Sequence, residues 1–134
     1  MNKTSFTKIG TVLYALVILF FGVSHFMKGS SMAAMVPSFI PGKSAFWVYL
    51  TGLALILAAV SILTGRLTRL AGLLLALFLL IVVLSVHLPA VINAPDENAA
   101  RFPLTNLIKD TGLAAAALMI AGRAPSTAPR ASMG

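Results

Sequence analysis

The chain has 134 residues and a formal net charge of +7; 59% of it is hydrophobic and only 10% is charged. An ordinary soluble domain has roughly a quarter of its residues charged, so there is too little charge here to cover a water-facing surface. With no cysteine, the chain cannot form a disulfide framework, a thiolate nucleophile, a cysteine zinc site or a cysteine-held iron–sulfur cluster.

Four charge-poor stretches follow in chain order, over residues 9–27, 44–64, 70–92 and 104–122. The last is interrupted near its start by Lys109 and Asp110. A helix needs about 20 mostly apolar residues to cross about 30 Å of hydrocarbon, and each stretch qualifies. The runs are continuous in Leu, Ala, Ile and Val rather than alternating, and four strands cannot close a barrel. The expected fold is all-α, an integral membrane four-helix bundle filling residues 1–122. Residues 123–134, rich in Ala, Pro, Ser and Arg without an apolar period, read as a disordered cytoplasmic tail.

The first stretch could be a cleaved signal, since lysines precede it and Ser31-Met32-Ala33 loosely resembles a cleavage site. Its apolar run exceeds the usual core of about 7–15 residues, however. The helices should pack through small residues four apart, with Ala54 and Ala58, Gly72 and Ala76, and Gly112 and Ala116 as candidates. Equally, Ala and Gly are simply common in such helices.

The connection over residues 28–43 is apolar, with Met32, Met35, Val36, Phe39 and Ile40 set among Pro37 and Pro41. It reads either as an interfacial anchor or as a lid over the bundle. Trp47 and Tyr49 fit an aromatic belt at the same level. The turn over residues 65–69 is short enough to make spans two and three antiparallel neighbours. Residues 94–101, with Asp96, Glu97, Asn98 and Arg101, read as a solvated hairpin loop.

Basic residues near span ends set orientation. Lys3, Lys8, Arg66, Arg69, Arg123 and Arg130 fall on one side. Lys28, Lys43 and Arg101 fall on the other, offset by Asp96 and Glu97. Both termini are therefore expected in the cytoplasm, and the positive charge is a topology signal with attraction to anionic lipid. Because the charges are scattered rather than gathered in one patch, they give no support to a nucleic-acid partner.

Depth arithmetic yields the candidate site. At 1.5 Å per residue, His25 lies about 24 Å along span one, His87 about 26 Å along span three and Asp110 about 10 Å into span four. All three fall in the outer third of the membrane. Asn106 and Asp110 are four apart on one helix face, and Lys109 is three from Asn106. Intramembrane ionisable groups are costly and usually face a bundle interior or a wet cavity. One reading is an outward polar pocket lined by His25, His87, Asn106 and Asp110, with Lys109 at its edge or snorkelling. The other is that the histidines are ordinary end residues and that Lys109 and Asp110 merely neutralise one another.

With the donors on three helices and no HExxH motif, a metal is not expected. Hydrogen bonding to the headgroup of a lipid-soluble molecule suits the inventory better, and a quinone carbonyl is one such headgroup. Proton transfer by His and Asp also fits. Single hydroxyls without a nucleophile motif give no support to hydrolysis.

Several short motifs recur in a familiar order. They are Gly22-x-x-His25-Phe26, Val36-Pro37-x-x-x-Pro41, Tyr49-x-Thr51-Gly52, Gly65-Arg66-x-x-Arg69-x-Ala71 and His87-Leu88-Pro89-Ala90. In that order and spacing the chain resembles the DoxX family of small four-helix bacterial membrane proteins. Such proteins often carry an acid three positions after the span-two glycine, where this chain has Leu55. The resemblance implies a multi-pass protein of the bacterial cytoplasmic membrane. It also implies a link to quinones, because one relative is a subunit of a thiosulfate:quinone oxidoreductase and others accompany redox or stress responses.

The function expected from all of this is binding of a quinone-like or other small amphiphilic molecule. Service as the membrane subunit of a redox system is the related form, an accessory role rather than an enzyme on its own. The alternative is a non-catalytic assembly or chaperone-like protein that holds a membrane protein partner. A transporter is disfavoured, because four helices without an internal repeat offer little machinery for alternating access.

Overall fold

The computed structural model describes residues 3–29, 33, 34, 38 and 41–124. Met32, Met35, Val36, Pro37, Phe39 and Ile40 of the apolar connection lie outside the described residues, as does the tail beyond Ala124 with Arg130. Among the described residues four long helices carry the fold: α1 (Lys3–Met27), α2 (Ser44–Thr64), α3 (Thr68–Ile92) and α4 (Glu97–Arg123). All four are long and apolar enough to span a membrane.

Local chemistry fixes their ends. Gly65, at φ 73°, closes α2 with its N–H on Ile62 O, and Leu67, at φ 53°, stands just before α3. Two left-handed residues flanking Arg66 thus reverse the chain at once; glycine takes this conformation freely, while leucine pays about 1–2 kcal/mol. α4 starts well ahead of Leu104, so most of the expected hairpin loop is helix. Asp96 accepts the Ala99 N–H at 2.8 Å, and Glu97 adds negative charge to the first turn. An apolar-run criterion misses such a capped polar turn because nothing in it is hydrophobic. Within the helices, hydroxyls bond back to carbonyls one turn earlier: Thr11 to Thr7 O, Ser85 to Ile81 O and Thr111 to Leu107 O, each at 2.7 Å. That pattern satisfies a polar side chain without water.

Size is sorted the opposite way from a soluble core. The buried face of α4 is Asn106, Asp110, Ala114, Ala117 and Ala121, whereas Phe20, Leu84, Ile92 and Phe102 are all more than 60% exposed. Small side chains let helices approach, and the large ones cover the outside.

The closest approaches come in two pairs. α1 lies on α2 where Gly22 meets Gly52: a side-chain carbon at Gly52 would sit 2.9 Å from Gly22 O and 2.8 Å from His25 Cβ. α3 lies on α4 where Gly72 faces Ala117 and Ala121, with 2.9 Å to Ala117 O. Of the small-residue pairs expected from spacing, Gly72 and Ala76 are buried, but Ala54 is exposed and Gly112 has nothing within 4 Å of its Cβ position. The α1–α2 contact uses one glycine from each helix instead of a repeat, so spacing along either helix does not reveal it.

Larger residues fill the space between the two pairs, among them Tyr14, Ile18, Leu55, Leu75 and Leu79. Tyr14 donates its hydroxyl to Leu113 O at 2.6 Å, and Arg123 donates to Thr7 Oγ1 at 2.9 Å. The second contact brings the start of α1 and the end of α4 to one end of the bundle.

Gly52→Ala should therefore force the α1–α2 pair apart at a cost of about 1–3 kcal/mol. Gly112→Ala meets open space and should leave stability unchanged or slightly raised. Thermal unfolding of the detergent-solubilised variants checks this, and equal melting of the two would refute the assigned contact.

Candidate functional site

Pro89 shapes the region that carries His87. Proline has no N–H to give the carbonyl of Ser85, and its ring crowds that oxygen. The helix widens just before it: Val83–His87 is a π-turn in which Leu88 N–H reaches back to Val83 O, one residue farther than in an α-helix. His87 stands at the end of this turn, 6% exposed.

Facing it, α4 presents Asn106 and Asp110 one turn apart on its buried stripe. His87 Nε2 lies 2.8 Å from Asp110 Oδ2. Lys109 Nζ lies 3.6 Å from Asp110 Oδ1 and 3.5 Å from Asn106 Oδ1, with its charge 4.4 Å above the centre of the Phe21 ring. A carboxylate in low dielectric is costly unless it is paired and hydrogen-bonded, and Asp110 has both. Lys109 is neither fully buried nor free to extend outward; it bridges α4 to α1 through the Phe21 face.

His25 is placed differently. Its Cβ packs against Gly52, and its Nδ1 donates to Phe21 O of its own helix at 2.7 Å. It makes no hydrogen bond to His87, Asn106 or Asp110, although it lines the same cavity. The structure thus brings His87, Asn106, Lys109 and Asp110 into one cluster and sets His25 across from them. Among the described residues no three imidazole or carboxylate side chains meet as a metal-ligand group.

The cavity measures about 500 Å³ and takes its walls from all four helices. Ile18, Leu55, Phe78, Leu79 and Leu113 make it apolar, while Trp47, Thr51 and Lys28 reach it from the α1–α2 side. Trp47 is anchored by donating Nε1–H to Pro41 O at 2.6 Å. A cleft of about 510 Å³ at the opposite end, between α1 and α4, is lined by Phe6, Gly10, Tyr14 and Arg123. It has no buried charged group, so the chemistry sits with the first cavity.

Sequence reasoning missed Phe21, Thr51 and Trp47 as parts of the site. Phe21 had a signal, because it lies four residues before His25 and so shares its face of α1. The others are polar or aromatic residues whose spacing alone cannot tell an interior position from an interfacial one.

No curated protein and no solved structure matches the chain. One family model does, described as "Domain of unknown function (DUF8561)", over residues 14–122. That stretch contains the whole polar cluster and most of all four helices, and the chain belongs to this family.

Proposed function

We propose that the chain is a multi-pass protein of the bacterial cytoplasmic membrane that binds a small amphiphilic molecule in its outer cavity. The ligand class is a lipid with a hydrogen-bonding ring, a quinone or its reduced form, and the role is that of a binding or accessory subunit. The observation that carries this reading is the buried His87–Asp110 pair, with Lys109 at its exposed edge, opening on a largely apolar cavity of about 500 Å³. Pockets for small molecules are mostly apolar, with a few polar groups that fix orientation. Helix packing alone does not call for such a cluster, since well-packed hydrophobic residues usually stabilise as much as a buried ion pair. The resemblance to the DoxX family points the same way.

The membrane placement is supported by the exposed Leu, Ile and Phe around the bundle. Cytoplasmic termini are supported by Lys8, Arg66, Arg69 and Arg123 at one end. The opposite end carries Lys28, Lys43 and Arg101 with Asp96 and Glu97.

Because the natural chain has no cysteine, single cysteines report topology cleanly. Asn98→Cys should react with a membrane-impermeant maleimide in intact cells, whereas Thr64→Cys should react only after permeabilisation. The reverse pattern would invert the assignment.

The ligand reading is tested by titrating purified protein in detergent with a short-chain ubiquinone or menaquinone analogue, offered oxidised and reduced. Saturable binding is expected in at least one state. Asp110→Asn should weaken it about tenfold by removing the charge that orients His87 and Lys109. If the wild type shows no saturable binding in either state, the proposal fails.

A further inference from the structure

Most hydrogen-bond donors around the cavity are already committed. Trp47 gives its N–H to Pro41 O at 2.6 Å, and Ser24 and Ser85 give their protons to Phe20 O and Ile81 O at 2.8 and 2.7 Å. The Lys109 ammonium has three protons, and its neighbours are Asp110 Oδ1, Asn106 Oδ1 and the Phe21 face.

The acceptors are in the opposite condition. A backbone carbonyl can only accept, so the contact with Phe21 O puts the His25 proton on Nδ1 and, in the neutral ring, leaves a lone pair on Nε2. The Asp110 carboxylate likewise accepts a hydrogen bond from His87 Nε2–H, and the neutral ring then has a lone pair on Nδ1. Neither free nitrogen has a hydrogen-bond partner among the described residues. No sealed side-chain nitrogen or oxygen there lacks a partner, so both atoms are open to a guest. Among the polar groups that line the cavity, the Asn106 amide, the Thr51 hydroxyl and the Lys28 ammonium are donors with no such commitment.

From these two unpaired imidazole nitrogens we infer that the cavity selects a ligand presenting hydroxyl protons, a lipid hydroquinone or comparable phenol, over the corresponding quinone. The inference rests on the ligand-binding reading above and specifies its chemical state. A hydroquinone supplies two O–H donors for the two imidazoles, which stand on α1 and α3 and so belong to different helix pairs. A quinone offers only acceptors there, leaving both ring nitrogens unpaired. A site that bonds a hydroxyl rejects the analogue without one for this reason.

Calorimetric titration of the protein in lipid nanodiscs under anaerobic conditions tests the inference with three probes. They are a decyl-substituted benzohydroquinone, the matching benzoquinone, and the hydroquinone's bis-O-methyl ether. The hydroquinone should bind about tenfold tighter than either of the others. His25→Phe, which keeps the ring and removes its nitrogens, should reduce hydroquinone affinity about tenfold and narrow its margin over the quinone. Equal or tighter binding of the quinone or the ether to the wild type overturns the inference while the ligand site stands. Failure of all three probes to bind removes the ligand-binding reading itself. The wild-type series decides the matter even if the variant does not fold.

Discussion

Asp110 is 8% exposed among helices whose remaining interior is mostly apolar. A carboxylate so placed must be neutralised where it stands, because moving an unpaired charge into low dielectric costs more than packing can return. His87 and Lys109 meet that demand from different directions. His87 comes from α3 with a direct hydrogen bond at 2.8 Å, and Lys109 from the adjacent position on α4 at 3.6 Å. The demand then spreads outward. His87 stands at the end of the widened turn before Pro89, and the Lys109 chain leans on the Phe21 face. Phe21 in turn shares its helix face with His25. One buried charge thus ties three of the four helices together at one end of the bundle.

The two helix pairs explain why a cavity exists beside this cluster. Gly22 with Gly52, and Gly72 with Ala117, bring their backbones as near as side chains permit. Between the pairs, bulkier residues and the Tyr14–Leu113 hydrogen bond hold α1 and α4 apart. Close packing within pairs and wider spacing between them leaves volume along the seam, and the seam is where the polar groups face. At the opposite end the same seam forms the cleft near Arg123, but no buried charge is present there to give it chemistry.

Much of this was legible in the residues. The four helices follow from run length against bilayer thickness, and the shared level of His87 and Asp110 follows from rise per residue alone. What sequence could not supply was rotation about each helix axis. His25 falls at the right depth, yet its ring bonds to Phe21 O of its own helix. The Gly22–Gly52 contact was hidden because a single glycine on each helix leaves no periodic trace. The early start of α4 was hidden because its first turn is held by capping rather than by hydrophobicity.

Leu55 shows how these constraints meet. It is 4% exposed and lines the cavity. A carboxylate there would be a second buried anion in a cavity whose inner ammonium, Lys109, is already shared between Asp110, Asn106 and the Phe21 ring. With leucine in place, one carboxylate is balanced by one ammonium, with Lys28 also lining the cavity. The apolar residue at this position and the single paired carboxylate on α4 are therefore one electrostatic arrangement.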